Sequence, residues 1–534
     1  MTTPSLQMAA AAIQRGDFAA AKAICAEALS RTPDDSEALY LLGSALAQSG
    51  ELEAAIAALE HANTVAPNNV LTLNALGGAY GAARRPDDAI KTLRLALALE
   101  PRFPWARQNL ALALKSVGDF ASARRNFEQA LEVYPDFPDA LAGLAEVLLI
   151  YGDTDGGQRL ADRALQITPT HRAARLVHAD CALRTGAPQR ALEALDAIEA
   201  NAQLAAAERA RIMTLRARAW ERLEDHEAAF SAFTAANGIL REIHGAAFEP
   251  GDGLLAPRTV AAVTDFLRGA DAANWPKPAP TERRTPAFVL GFPRSGTTLL
   301  DQILSAHPDV EALEESMNFA EALEPLILAP GALSRWQALT QTDVEALRAA
   351  YWRRVETVLG RALQRPLFVD KLPLNTVLLP LIHLLFPDAR IVFAVRDPRD
   401  VVISCFTQKF EMNVAMYQFL TLETAARYYH AVMQLAGTAR ERLPLNLHVV
   451  RYEDLVGGFD TTVADLLRFL DLPWDDRVRD YATLARERLI RTPSAEQVRK
   501  PIYASSIGRW RCYASRMSPL EPVLEKWIHG FGYA

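Results

Sequence analysis

Cysteine is scarce in this 534-residue sequence, and no apolar run is long enough to cross a membrane. The four cysteines include no C-x-x-C pair, which argues against both a disulfide framework and a cysteine-based zinc site. No stretch of about 20 consecutive apolar residues occurs. The N-terminus lacks the basic region of a secretory signal peptide. We therefore expect a cytoplasmic protein with no membrane partner.

An excess of positive charge is also absent. The 57 Lys and Arg residues are outnumbered by 64 Asp and Glu residues, for a net charge of −7, which argues against a nucleic-acid partner. Hydrophobic residues make up 50% of the chain and charged residues 23%, a balance that excludes a disordered chain. At roughly 150 residues per domain, this length predicts two or three compact units.

The N-terminal half repeats with a period of 34 residues. Three interleaved series mark the period: Pro33, Pro67, Pro101, Pro135 and Pro169; Gly16, Gly50, Gly118, Gly152 and Gly186, with Arg84 in the vacant place; and Ala21, Ala55, Ala89, Ala123 and Ala191, with Gly157 in the vacant place. Apolar residues recur at three- and four-residue spacing between the marks, which predicts two amphipathic helices per repeat. We expect the glycine to end the first helix, the alanine to allow close helix packing and the proline to end the second helix.

This pattern resembles the tetratricopeptide repeat family, whose period is 34 residues. The resemblance covers about Thr2–Asn201 and implies an all-α superhelix with a concave face that binds a peptide or a partner protein. In the alternative interpretation, the repeats only rigidify the chain or join it into a homodimer. A less regular helical pair, Ala205–Ile243, is expected to cap the stack. We place a helical domain at 1–247 and a proline- and glycine-rich linker at 248–285.

Residues 286–534 have a different character, because short apolar runs alternate with helical patterns. The strand candidates are PAFVLGF, PLFVD, ARIVFAV and NLHVVRY, and the helix candidates are TTLLDQILSAH, NTVLLPLIHLLF, PRDVVISCF and FDTTVADLLRFL. Alternation of this kind predicts an α/β domain with a parallel sheet. In such sheets, ligands bind at the carboxyl ends of the strands.

The first strand candidate runs directly into GFPRSGTTLL, which opens an amphipathic helix. This strand–loop–helix context predicts a P-loop-like cradle in which backbone N–H groups bind an anion. The cradle comprises Arg294, Ser295, Gly296, Thr297 and Thr298. Thr297 stands where nucleotide triphosphatases have lysine, so the loop suits a sulfonate better than β- and γ-phosphates. Arg294 supplies a cation within the loop.

A second candidate cluster is VRDPRDVVIS, which follows another strand. Arg396 at the strand end and Ser404 about two turns into the next helix are predicted to hold a second phosphate. In the alternative interpretation, Arg396, Asp397, Arg399 and Asp400 form a cluster of surface ion pairs.

Together, the two clusters resemble the sulfotransferase family, whose co-substrate is 3′-phosphoadenosine 5′-phosphosulfate (PAPS). Within that family, the segment PRSGTTLLDQILSAHPDVEALEES is similar to the tyrosylprotein sulfotransferases, in which the loop is followed by A-H-P and a pair of glutamates. The resemblance implies a P-loop-like sulfotransferase fold over 286–534. It also implies a nucleotide site that needs no metal.

The resemblance also implies roles for individual residues. Glu315 matches the general base, although Glu314 is an alternative. Lys371 and Ser494 match residues that, together with Arg294, stabilise the transferring sulfonate and the leaving phosphate. Two further positions, Tyr452 and Arg509, match residues that hold the nucleotide.

The sequence thus predicts a PAPS-dependent sulfotransferase preceded by repeats. Its acceptor is expected to be a hydroxyl of a peptide tyrosine, a carbohydrate or a small molecule, and the repeats are expected to hold that acceptor or a partner protein. Two other functions are open. One is a P-loop nucleotide kinase or NTPase, and the other is an inactive repeat scaffold.

Overall fold

The computed structural model describes residues 4–199, 204–249, 251–279, 285–487, 498 and 504–533. The chain divides into two compact units, Met1–Gln203 and Leu204–Ala534. No helix within the described ranges is both long enough and apolar enough to cross a membrane.

The first unit is an array of consecutive helices, each of which packs on the next along the chain. Its helices are α1 (Pro4–Gln14), α2 (Phe18–Arg31), α3 (Ser36–Ser49), α4 (Leu52–Val65), α5 (Val70–Ala82), α6 (Pro86–Leu99), α7 (Pro104–Ser116), α8 (Phe120–Val133), α9 (Pro138–Tyr151), α10 (Thr154–Ile167), α11 (Arg172–Arg184) and α12 (Pro188–Glu199). The prediction of two helices for each 34-residue period is confirmed.

A left-handed residue follows the first helix of each repeat. The glycines at 16, 50, 118, 152 and 186 have φ angles of 77°, 87°, 78°, 88° and 79°. Arg84, which occupies the vacant place in that series, has φ 58°. The turn therefore keeps its left-handed geometry even where a side chain makes that geometry unfavourable by roughly 1–2 kcal/mol.

Small residues let the two helices of a repeat approach closely. The alanines at 21, 55, 89, 123 and 191 are fully buried. Gly77 in α5 packs against Leu93 of α6, and a Cβ on Gly77 would lie 2.4 Å from Cγ of that leucine. The interior of the array therefore depends on residue volume as well as on hydrophobicity.

The second unit contains a sheet with helices on both faces. Its elements are α13 (Ala206–Arg222), α14 (His226–Phe248), α15 (Pro257–Gly269), β1 (Ala287–Gly291), α16 (Thr297–Ala306), β2 (Val310–Glu314), α17 (Ala320–Leu323), α18 (Gln341–Leu359), β3 (Leu367–Lys371), α19 (Leu379–Leu385), β4 (Arg390–Val395), α20 (Pro398–Phe406), α21 (Val414–Tyr417), α22 (Leu422–Arg442), β5 (Asn446–Arg451), α23 (Tyr452–Gly457), α24 (Phe459–Phe469), α25 (Tyr481–Glu487), α26 (Ala514–Met517) and α27 (Glu521–Gly530).

The five strands are parallel and lie in the order β2-β3-β1-β4-β5. The four strand candidates from the sequence correspond to β1, β3, β4 and β5, so the predicted parallel α/β fold is confirmed. Strand β2, at the edge of the sheet, was not predicted. Its sequence VEALE consists mainly of good helix formers, and its pairing with β3 holds it as a strand.

Alternate residues of the central strand β1 enter two different cores. Phe288 and Leu290 belong to a large core that includes residues of α15, α18 and α22. Ala287 and Val289 belong to a second core with residues of α16 and α24. Because both faces are covered, every residue of β1 is buried. The strand therefore ends at a rigidly held point, from which the next loop departs.

The helical pair α13 and α14 packs within the second unit. Ala229 and Phe233 are buried in the core that contains Phe288 of β1. The side-chain amide of Asn237 donates a hydrogen bond of 3.0 Å to the carbonyl of Phe406, the last residue of α20. The pair thus contacts the α/β sheet's own helices, and the domain boundary at residue 247 stays a prediction.

The contact between Gly77 and Leu93 generates a stability prediction. Gly77→Ala should lower the free energy of unfolding of the repeats by about 1–3 kcal/mol, because the added methyl group overlaps a buried side chain. Gly78→Ala is the matched control, since its Cβ would meet only Asn109 Nδ2 at 3.5 Å and alanine favours the helix. Urea unfolding monitored by circular dichroism checks both variants. Equal stabilities for the two variants would contradict the packing argument.

Candidate active site

The loop between β1 and α16 closes tightly on itself. The Ser295 hydroxyl donates to the Phe292 carbonyl at 2.6 Å, and the Ser295 backbone N–H donates to the same oxygen at 3.2 Å. Arg294 and Gly296 have left-handed φ angles of 71° and 99°. Left-handed residues that alternate with right-handed ones form a concave nest of backbone N–H groups. This nest leads into the N-terminus of α16, where the first N–H groups of the helix and its dipole favour an anion.

Gly296 lies beneath the ring of Tyr452, the first residue of α23. A Cβ on Gly296 would approach Cδ2 of Tyr452 to 2.9 Å, and its φ angle is one that other residues rarely adopt. The guanidinium carbon of Arg396 lies 5.0 Å from the centroid of the same ring, within the range of a cation–π interaction. Tyr452 therefore contacts both the loop and the strand-end arginine.

Arg294 and Arg396 connect the loop to the second predicted cluster. Nε of Arg294 donates a hydrogen bond of 2.9 Å to the Ser404 hydroxyl. Nη1 of Arg396 donates to the Arg294 carbonyl at 3.2 Å, and its Nη2 bonds the Ser506 carbonyl. Two motifs about a hundred residues apart in sequence are thus brought into direct contact.

The charged residues around Arg396 are buried. Asp397 caps α20 and holds the Arg399 guanidinium through two of its nitrogens, at 3.0 and 2.8 Å. Asp400 accepts the backbone N–H groups of Gly508 at 2.7 Å and of Trp510 at 2.8 Å. Burial raises the pKa of Asp400 above its usual range. The ion pairs of the alternative interpretation are present, Arg399 with Asp397 and Arg396 with Asp400 at 3.6 Å. Because all four side chains are buried, the expectation that they lie at the surface is wrong.

Lys371 ends strand β3 and contacts both candidate bases. Its ammonium group donates to Oε1 of Glu314 at 3.0 Å and to Oε1 of Glu315 at 3.1 Å. The Glu315 backbone N–H in turn donates to the Lys371 carbonyl at 2.8 Å. Lys371 is fully buried, whereas the Glu315 side chain is 39% exposed. A buried ammonium group thus meets a carboxylate that an outside molecule can reach.

The charge on Lys371 is maintained by its acidic neighbours. Burial alone lowers its pKa, but the charges of Asp301, Glu315 and Glu314 outweigh burial, and the pKa is raised above its usual value. Asp301 lies in α16, the helix that begins at the loop. In the sheet, Lys371 is opposite Val289, two residues before the end of β1. The lysine is therefore cationic and lies on the strand next to β1, whose end opens the loop.

Sequence reasoning missed a buried carboxylate next to this lysine. Asp370 is fully buried and accepts hydrogen bonds from Tyr351 Oη at 2.8 Å and from Asn318 Nδ2 at 3.0 Å. Burial raises the pKa of Asp370 to about 6. Asn318 belongs to the segment that follows Glu315, so this network attaches that segment to β3. The available signal was an aspartate within an otherwise apolar strand, LFVDK.

The remaining predicted site residues lie at the start of α16, next to the C-terminus of α20, or outside the described residues. Arg509 contacts Glu221 of α13 through Nε at 3.0 Å and donates from Nη1 to Thr407 Oγ1 at 3.1 Å. Sequence reasoning missed Glu221, because no local signal marks it. Thr297 and Thr298 open α16 and are buried. Ser494 lies outside the described residues.

Comparison with protein families assigns both parts of the chain. Residues 286–476 match the model described as "Sulfotransferase family". Residues 12–76 and 109–172 match models described as "Tetratricopeptide repeat". The chain carries tetratricopeptide repeats followed by a sulfotransferase-family domain. Both resemblances drawn from the sequence are confirmed.

Several curated proteins are similar to parts of the chain. An uncharacterized protein of Aquifex aeolicus (strain VF5) is 30% identical over 319 residues, which are 57% of this chain and 40% of that protein. Protein-tyrosine sulfotransferase A of Caenorhabditis elegans is 27% identical over 230 residues, which are 42% of this chain and 60% of its own length. The protein-tyrosine sulfotransferase of Drosophila melanogaster is 27% identical over 249 residues, with 42% and 46% covered. The chain therefore spans less than two thirds of each of these relatives.

Solved structures similar to the chain include repeat proteins. A tetratricopeptide repeat protein of Thermus thermophilus is 24% identical, covers 34% of this chain and 97% of its own, and has a TM-score of 0.31. This value is too low to add to the assignment. The repeats are assigned from the family models and from the helix pattern.

The buried Asp370 of the sulfotransferase domain generates a prediction about pH. Its pKa is about 6 in the folded protein and about 4 in an unfolded chain, so folding takes up a proton between these values. Asp370 therefore stabilises the fold below about pH 4, relative to neutral pH, by up to about 3 kcal/mol, and this contribution is lost as pH rises through 6. Asp370→Asn cannot titrate, so its stability relative to wild type should increase from pH 4.5 to 7.

Urea unfolding at several pH values measures this difference. Tyr351→Phe is the control, because it removes one hydrogen bond to Asp370 and keeps the titrating carboxyl group. We expect Tyr351→Phe to retain a pH dependence that Asp370→Asn loses. Parallel curves for wild type and Asp370→Asn would show that Asp370 does not titrate in this window.

Proposed function

We propose that this chain transfers the sulfonate group of PAPS to a hydroxyl group of an acceptor. The products are a sulfate ester and adenosine 3′,5′-bisphosphate. The observation that carries the proposal is the contact of the loop with Arg396 and Ser404 through Arg294. A pair of adjoining anion sites at one sheet edge suits a nucleotide that carries anionic groups at both its 5′ and 3′ positions.

On this proposal, the loop binds the 5′ end of the nucleotide. The N–H groups of Gly296, Thr297 and Thr298 and the Arg294 guanidinium receive the phosphosulfate, while Ser295 closes the loop onto the Phe292 carbonyl. At the other end, the Arg396 guanidinium and the Ser404 hydroxyl bind the 3′-phosphate through charge-assisted hydrogen bonds. The aromatic ring above the loop and the arginine at position 509 complete the nucleotide site. These roles follow the family resemblance and the contacts described above.

The transfer itself needs a base and a stabilising cation. Glu315 accepts the proton of the acceptor hydroxyl while the acceptor oxygen forms a bond to sulfur. The bond between sulfur and the bridging oxygen breaks, and its electron pair leaves with the 5′-phosphate. Lys371 and Arg294 stabilise the charge that develops on the sulfonate and the bridging oxygen. Ser494 has the same role by resemblance.

The alternative of a nucleotide kinase or NTPase is disfavoured by one residue. Thr297 occupies the place where a phosphate loop for triphosphates has its lysine. In the sulfotransferase domain, the lysine of the candidate site is instead Lys371, which lies at the end of β3 and contacts the carboxylates of Glu314 and Glu315. Measuring ATP hydrolysis with and without Mg²⁺ separates the two functions, and we expect none above background in either condition.

A tyrosine-bearing peptide is the acceptor that the relatives favour. Two of the similar proteins are named protein-tyrosine sulfotransferases. The repeats then bind the peptide or a partner protein, as is common for such arrays. Transfer of labelled sulfate from PAPS to tyrosine peptides, to glycans and to small phenols identifies the acceptor class. A scaffold without activity would label none of these acceptors.

Nucleotide binding gives a first test of the proposed function. Adenosine 3′,5′-bisphosphate should bind at least about 10-fold more tightly than adenosine 5′-monophosphate, because only the former presents a 3′-phosphate to charge-assisted donors. Isothermal titration calorimetry with the full chain measures both affinities. Equal affinities would remove the role proposed for Arg396 and Ser404.

Turnover of the variants gives a second prediction. Arg294→Ala and Glu315→Gln should each reduce sulfate transfer by at least about 100-fold, because each removes one charge-stabilising or proton-accepting group. Initial rates with labelled PAPS and the best acceptor measure the loss. Glu314→Gln is the matched control, since Glu314 also contacts Lys371. A larger loss in Glu314→Gln than in Glu315→Gln would move the base to position 314.

A further inference from the structure

Glu221 of the helical pair α13 and α14 contacts the segment around Arg509, which lies beside the cluster of Arg396 and Ser404. Glu221, near the end of α13, uses a single oxygen, Oε1, to accept Nε of Arg509 at 3.0 Å and the Tyr513 hydroxyl at 2.9 Å. Nη2 of Arg509 also contacts that oxygen. The side chains of Glu221 and Arg509 are each 25% exposed. This ion pair is therefore largely shielded and geometrically defined, unlike an ordinary surface pair.

Arg509 also contacts the end of helix α20. Its Nη1 donates to the Thr407 hydroxyl at 3.1 Å, and Thr407 is the residue that caps the C-terminus of α20. Ser404 lies one turn earlier on the same helix. The opposite end of α20 is held by the residues on either side of Arg509, whose N–H groups donate to Asp400 at 2.7 and 2.8 Å.

The same segment contacts the strand-end arginine. The Ser506 carbonyl accepts a hydrogen bond from Arg396, so residues 506–510 hold both α20 and Arg396. Burial lowers the pKa of Arg509, but the charge of Glu221 outweighs burial and the pKa is raised. The guanidinium thus stays charged, and its direction is set by Glu221 at one end and Thr407 at the other.

We infer that Glu221 is a positioning residue for the 3′-phosphate end of the nucleotide site. It orients Arg509 and, through the segment 506–510, fixes the relative placement of Arg396 and Ser404. The inference rests on the proposed function, in which these two residues bind the 3′-phosphate. It makes the helical pair of residues 204–248 part of the enzyme's nucleotide site.

The test compares two nucleotides that differ only in the 3′-phosphate. Glu221→Gln should weaken adenosine 3′,5′-bisphosphate at least about 10-fold, the effect of one lost charged hydrogen bond, while adenosine 5′-monophosphate binds as in wild type. The KM for PAPS should rise by a similar factor, and kcat should change less than about threefold. Calorimetry and initial rates on the full chain measure these values.

Glu227→Gln is the matched control. Glu227 lies on the same helical pair and contacts Arg516 at 2.8 Å, but its side chain is 71% exposed. Glu227→Gln should therefore leave the affinities for both nucleotides unchanged. Thr407→Val provides a second variant, because it removes the far acceptor of Arg509 together with the bond from the Thr407 hydroxyl to the Ile403 carbonyl within α20. It should weaken the 3′,5′-bisphosphate a few-fold without affecting the monophosphate.

The outcomes separate this inference from the proposed function. If wild type binds the two nucleotides equally, the 3′-phosphate site itself fails, and the inference fails with it. If wild type prefers the bisphosphate and Glu221→Gln keeps that preference, only the inference is overturned. The inference is also overturned if Glu221→Gln lowers the affinity for both nucleotides equally and lowers the melting temperature, because Glu221 would then only stabilise the fold. Should Glu221→Gln fail to fold, Thr407→Val decides by the same ratio.

Discussion

The parallel pairing of strand β1 with both β3 and β4 fixes the geometry of the candidate site. Gly291 at the end of β1 is opposite Ala394 of β4, so Arg396 emerges beside the loop. Lys371 at the end of β3 is opposite Val289 of β1 and Glu314 of β2. Parallel strands all end at one edge of the sheet. The register of these strands therefore places the loop between β1 and α16, two cations and two carboxylates at that edge.

Burying so many charges requires that each one has partners. An isolated buried ion is strongly unfavourable, and here each charge is met by a hydrogen-bonding partner or an opposite charge. Lys371 contacts two glutamates, Asp400 accepts two backbone N–H groups, and Asp370 accepts from a tyrosine and an asparagine. The position of the Lys371 ammonium group is thus set by its partners within the fold. Such preorganisation is the condition for electrostatic stabilisation of a transition state without reorganisation.

The helical pair α13 and α14 belongs to the same compact unit as the sulfotransferase domain. In composition and in its turn, the pair resembles a further repeat, with Glu224 in the left-handed conformation at φ 61°. Its contacts, however, are with α20 and with the segment around Arg509. A helical hairpin of the kind that builds the array thus also supports the candidate active site.

The sequence alone determined the periodic and local features. Interleaved proline, glycine and alanine series predict the helix array, since each residue type has one conformational or steric role that recurs every 34 residues. The apolar runs predict four of the strands, and GFPRSGTTLL predicts the loop, because a strand followed by a glycine turn and a helix N-terminus is a local arrangement.

Only the tertiary structure decided the features that depend on distant partners. Strand β2 has residues that favour a helix, and the pairing with β3 overrides that preference. The network of Asp370, Tyr351 and Asn318 joins three separate segments. Glu221 and Arg509 are 288 residues apart. The physical reason is that a hydrogen bond or ion pair between distant segments leaves no periodic or neighbouring signal, and it exists only once the packed cores have brought those segments together.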